Sequence, residues 1–296
     1  MVLESLTTPV SAERKPLQMF FIGIVYSSVA ILLSLWIFKD QASLVMVFLT
    51  VMACVPLIYH TIRLEEKKDK TPLTEKSLLK EHSRAIMFLT FLFVGFVISF
   101  AMWFTFLPTQ LTQATFQTQI ATINTINTQI TSGTVISGEA TNKITSSITS
   151  TTLFSRILLN NIKVLIFCLL FSFFYGSGAI FILTWNASVI SAAVGTFIRN
   201  NLGAYAVQSG FLKIGAYFQI VSIGLLRYFI HGIPEIIAYF IGGLAGGIIS
   251  VAVIKHDFGG ENFHKIMYDA LSLSLIALAL LFVAALIEVW ITPALF

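Results

Sequence analysis

Three ionisable side chains spaced four residues apart stand out in this chain. Arg227, His231 and Glu235 sit in the run Leu225-Leu-Arg-Tyr-Phe-Ile-His-Gly-Ile-Pro-Glu235, inside an otherwise apolar, glycine-rich stretch from Phe211 to Ile254. An ionisable group at membrane depth is costly unless paired or hydrated, so such a cluster marks a candidate site. Its chemistry could be a structural ion-pair network, a site for a ligand, ion or proton, or intramembrane catalysis. For the last, the His–Glu pair lacks the second ligand of a His-Glu-x-x-His zinc motif, and no Ser or Cys nucleophile is tied to it. Pro234 suits a first helical position and Glu235 the positive end of a helix dipole, so the spacing predicts a helix start there. One helix is expected to end near Arg227, with His231 in the break.

The elements that must hold these residues are membrane helices. The chain is 56% hydrophobic and 11% charged, with a mean hydropathy of +0.88, far from soluble composition. Several runs approach the ~20 apolar residues needed to cross ~30 Å of hydrocarbon. They are read as spans Leu17–Phe38, Leu44–His60, Ala85–Leu107, Asn161–Trp185, Phe211–Tyr228, Pro234–Ile254 and Met267–Ile291. The runs are continuous rather than alternating, which excludes a barrel and predicts an all-α, polytopic transmembrane bundle. The first run is too long for a cleaved signal peptide and is expected to be retained. A further run, Ala187–Ile198, is too short to cross in the usual way. Asn186 before it is a good N-cap, and Arg199-Asn-Asn-Leu-Gly203 is a polar stop. It is read as a re-entrant or interfacial half-helix.

Charge placement orients the bundle. Seven Lys and Arg fall between Arg63 and Arg84, whereas 108–152 holds only Lys143 and Arg14 and Lys15 precede the first span. The positive-inside rule places the N-terminus and the 61–84 loop in the cytoplasm of a multi-pass cell-membrane protein. Acidic residues between the lysines favour a solvated helical linker. The organisation is thus a hairpin (1–60), a charged loop (61–84) and a membrane domain (85–296). The Thr-, Ser- and Gln-rich segment 108–152 faces outward; Ile120, Ile123, Ile126 and Ile130 fit an amphipathic helix, but β-branched content leaves a flexible loop equally open.

The second half resembles the stage II sporulation protein M family. That pattern has an Asn opening a span, glycines within it, an Asn-Gly at its end, and then Pro-His-Gly with a Glu shortly after. Asn161, Gly176, Gly178, Asn186, His231, Gly232 and Glu235 match it residue by residue. Ala187 stands where the family commonly has Gly, and Ile230 where it has Pro. The resemblance covers roughly residues 85 to 296 and implies an integral membrane protein; the family's name points to spore engulfment, a role not carried over here.

On this topology Asn160, Asn161, Lys163, Arg227, His231, Glu235 and Glu288 fall near the outer face, and with Asn186 they form the candidate polar cluster. Glu235 is expected in a first helical turn, approached by Lys163, Arg227 or Asn161. Gly242, Gly243, Gly246 and Gly247 form two small-xxx-small pairs, expected to pack within the chain against Gly176 or Gly178. Cys54 and Cys168 read as small buried apolar residues. Between Lys255 and Lys265 the spacing of His256, Asp257, Glu261 and His264 matches no common metal site, so a solvated turn is expected. No cofactor is implied. The expected role is that of a non-enzymatic scaffold or complex subunit; a transporter or channel using the half-helix and the polar cluster is the alternative. The expected partners are the bilayer and either another membrane protein or a second copy, with nothing pointing to nucleic acid.

Overall fold

A computed structural model describes residues 9–69, 75–132, 150–175, 178–204, 211–254 and 261–295. A short α1 (Pro9–Arg14) leads into α2 (Pro16–Ile37), a 3-10 turn (Lys39–Gln41), α3 (Ala42–Asp69) and α4 (Glu75–Phe106). Then come α5 (Thr109–Ser132), α6 (Ser150–Tyr175), α7 (Ala179–Ala204), α8 (Phe211–Ile254) and α9 (Glu261–Leu286). A π turn (Ile287–Ile291) and α10 (Thr292–Leu295) complete the order, and no strand occurs among the described residues. Helices are the expected solution, because hydrocarbon offers no partner to an open backbone N–H or carbonyl. Seven of them, α2, α3, α4, α6, α7, α8 and α9, are long and apolar enough to cross a bilayer. The protein is an all-α, polytopic membrane bundle. Their alternation gathers α1, the end of α3, and the starts of α4, α7 and α9 at one end, which carries Arg14, Lys15, Lys67, Lys68, Arg84 and Lys265 and is called the basic end below.

The chain divides into seven spans differently from the sequence reading at two places. The expected half-helix Ala187–Ile198 is not a separate element. It is the middle of α7, whose 26 residues rise about 39 Å, enough to cross. The break falls earlier, between Tyr175 and Ala179, where Gly178 forms a turn; Asn186 therefore lies inside a helix and caps nothing. A glycine such as Gly178 is a stronger helix breaker than Asn186. The second correction concerns Pro234. The expected spans 211–228 and 234–254 are one continuous 44-residue helix, α8, with Pro234 inside it. Proline removes one backbone donor, here the partner of the Ile230 carbonyl, but membrane helices tolerate this loss where neighbours cover the site.

Packing centres on α4 and α8. Phe88, Leu92, Phe96 and Phe100 of α4 are fully buried, as is Ile248 of α8. The N-terminal hairpin is built into this core. Gly23 of α2 and Gly95 of α4 meet so closely that a Cβ on Gly23 would lie 2.5 Å from the Leu92 carbonyl oxygen and 3.2 Å from the Gly95 Cα. Ser28 reinforces the crossing through Ser99 at 3.0 Å and the Trp103 indole N–H at 3.0 Å. On its outer side α2 exposes Leu17, Phe21, Val25, Val29, Leu32 and Trp36, an apolar stripe suited to lipid.

The polar segment after α4 is helical as far as Ser132, one of the two readings left open by its composition. Tertiary contacts outweigh its β-branched content. Phe116 is fully buried, with its ring 5.0 Å from that of Phe104, and Gln119 donates to the Ser43 carbonyl and the Ser188 hydroxyl, each at 3.1 Å. Residues 133–149 of that segment, and 255–260 of the last loop, lie outside the described residues.

Candidate functional site

Continuity of α8 decides the geometry of the polar cluster. In an unbroken helix His231 and Glu235, four apart, occupy the same face. Facing them are Asn161 of α6 and the last turns of the chain. Asn161, 6% exposed, donates its side-chain N–H to Glu235 Oε1. His231 Nδ1 lies 3.3 Å from Thr292 Oγ1, which itself donates to the Ile287 carbonyl at 3.2 Å. That last bond spans the π turn, the one such stretch among the described residues, and Glu288 sits inside it. Glu288 lies within electrostatic reach of Glu235 and Tyr239. π turns widen a helix locally and recur at functional sites.

Glu235 is 16 residues into the 219–254 helix stretch and 19 from its end, and Asn161 is 11 residues into α6 and 14 from its end, so both lie inside helices rather than at a helix start. Because α8 does not start at Pro234, no helix N-terminus stabilises Glu235; the Asn161 amide takes that part.

The other expected members are not gathered there. Asn160 and Lys163 are exposed on the outside of α6. Asn186 is half-buried in mid-α7, and the side chain of Arg227 lies outside the described residues. The glycines of α8 do pack within the chain, but against other groups than expected. Gly242 faces the Leu165 side chain, Gly243 faces Ala179 and Ser172, Gly246 abuts the Leu169 carbonyl, and Gly247 faces Ile62. Gly178 lies on the Phe171 carbonyl of its own turn, and Gly176 lies outside the described residues. Cys54 and Cys168 are buried free thiols. No group of three or more His, Cys, Asp or Glu suited to a metal ion occurs among the described residues.

A second polar centre, at the basic end, was missed by the sequence reading, which took 61–84 as solvated. Glu65 and His82 are fully buried. His82 Nδ1 lies 2.6 Å from Glu65 Oε2, and His82 Nε2 lies 3.2 Å from Asp269 Oδ2. A ring with a carboxylate at each nitrogen satisfies both only as the doubly protonated imidazolium. Lys68 extends the network, at 2.7 Å from Glu65 and 3.0 Å from Glu13 of α1. Burial pushes the Glu13 carboxyl above its ordinary value; Glu65 adds to this and Lys68 opposes it. The available signal was Asp269, an acid just inside the expected last span, with His82 three residues before the third.

Residues 85–293 match the family model described as stage II sporulation protein M. No curated protein and no solved structure matches the chain. The match spans α4 to the π turn and includes Asn161, His231 and Glu235, so the residues that meet in the buried cluster all lie inside it. The chain belongs to the stage II sporulation protein M family.

Proposed function

We propose that this chain is a non-enzymatic scaffold or subunit of a membrane complex, placed in the cell membrane with its N-terminus in the cytoplasm. The observation that carries the reading is how tightly the interior closes. Glycine-mediated contacts bring α8 onto α6 and α2 onto α4 at backbone distance. Two clefts, at the α3–α7–α8 junction and between α4 and α8, hold only about 30 and 20 Å³. Each has room for roughly one water, and none for a solute. Helices closed on one another at these junctions suit a protein that positions others. In this reading residues 1–60 form a hairpin joined to the family's domain through α2 and α4.

A second reading, proton-linked transport, draws on Glu235, hydrogen-bonded to Asn161 on the helix face it shares with His231, which in turn meets Thr292. Two measurements separate the readings. Crosslinking in native membranes followed by purification should recover a stable complex if the chain is a scaffold. Proteoliposomes carrying the chain alone and an internal pH dye should then show no proton flux above empty vesicles. Flux abolished by Glu235→Gln, without a recoverable complex, would reverse the preference.

A further inference from the structure

The walls of one lateral groove are α4 and α9, and its floor is α8. Ile86 and Phe91 line one side, Leu273 and Ile276 the other, and Ile237 and Ile241 the bottom. Its volume is about 430 Å³, and its lining is almost wholly apolar. At the basic end His82, which also lines the groove, reaches across to Asp269, so one buried hydrogen bond pins the two walls together at the groove's head. The same end of each wall carries a cation, Arg84 on α4 one turn before Met87 and Lys265 on α9. Arg84 is half-exposed and is shared with Glu81 at 3.2 Å. Lys265 is exposed and lies one helical turn before Asp269, on the face that continues to Leu273.

We propose that this groove binds one anionic phospholipid, its acyl chain along Ile237 and Ile241 and its phosphate between Arg84 and Lys265. Size selects the occupant. One turn of a helix, 5.4 Å long and 10–12 Å wide, fills roughly 400–600 Å³. The groove therefore accepts a single turn of a partner helix, too little to seat a span, whereas an acyl chain fits it lengthwise. Charge selects the headgroup, because two cations at the mouth of an apolar slot favour a phosphate of net negative charge. The site is independent of the scaffold reading and stands or falls on lipid binding alone.

The test is native mass spectrometry of the full chain equilibrated with mixed vesicles of phosphatidylglycerol and phosphatidylcholine. One phosphatidylglycerol should remain bound per chain. Arg84→Gln with Lys265→Gln should lower the preference over phosphatidylcholine by about fivefold for each charge removed. Ile241→Trp, which fills the floor, should remove the bound lipid of either kind. Equal retention of both lipids by the native chain, or lipid bound as before to a folded Ile241→Trp, overturns the proposal. So does a dimer that Ile241→Trp dissolves, since a second copy would then occupy the groove. If Ile241→Trp does not fold, photoreactive phosphatidylglycerol must label peptides containing Met87 or Ile276, and labelling confined to other surfaces overturns it equally.

Discussion

Asn161 donates a hydrogen bond to Glu235 between the midpoints of α6 and α8, two helices that otherwise meet through glycines and leucines. The contact fixes the register of the pair. One and two turns further on, Leu165 faces Gly242 and Leu169 faces Gly246.

Replacing Glu235 should separate shape from charge. Glu235→Gln keeps an acceptor for Asn161 and is expected to fold with nearly native stability. Glu235→Leu leaves the buried Asn161 amide unpaired, a cost of about 1–3 kcal/mol. Thermal melts of the detergent-solubilised variants measure both. Equal melting of Gln and Leu variants would mean the hydrogen bond carries no structural weight.

Hydropathy was enough to read a seven-span helical bundle, because runs of this length have no other stable form in lipid. It did not place the helix ends. Local breakers compete, and tertiary cover decided against Asn186 and Pro234 while the break formed at Gly178. That choice moved Glu235 from an expected helix start to the interior of a long helix. The cost of burying Glu235 pointed to a partner among Asn161, Lys163 and Arg227, and Asn161 is hydrogen-bonded to it. The His82 centre was less legible for a physical reason. His82 and Asp269 are 187 residues apart, and Glu65 is flanked by Lys67 and Lys68, a pattern that suits a solvated helix equally well.

The α6–α8 seam should be intolerant of side chains. A Cβ at Gly246 would collide with the Leu169 carbonyl, a backbone atom that cannot swing aside. Gly246→Leu is therefore expected to cost at least the 1–3 kcal/mol typical of overpacking. Gly232 is the control within the same helix, since a Cβ there meets nothing within 4 Å. Gly232→Ala should melt as the native protein does. A matching loss in both variants would show that helix flexibility, rather than close packing, is what these glycines supply.

Removing His82 should be more damaging than removing either carboxylate. His82→Phe leaves buried Asp269 without its His82 partner and Glu65 with Lys68 alone, a loss of about 3–5 kcal/mol. Adding Glu65→Gln to His82→Phe should recover part of the loss at neutral pH. Melting temperatures of the three proteins at neutral pH provide the check, and no recovery on adding Glu65→Gln would rule out stranded charge as the cause.

Orientation follows from the same basic end. Lys67 and Lys265 are exposed there, and Gln117 is exposed on α5, which starts at the opposite end of α4. With the N-terminus in the cytoplasm, single cysteines at positions 67 and 265 should resist a membrane-impermeant thiol reagent in intact cells, and one at 117 should react. Cys54 and Cys168 are buried and give a low background, which Ser replacements can remove. Lysis should make all three sites reactive. One span, α4, separates residues 67 and 117, which puts them on opposite sides whichever way the bundle is inserted. Labelling at 67 but not 117 before lysis would therefore invert the orientation and keep the fold, whereas labelling at both would break the seven-span topology itself.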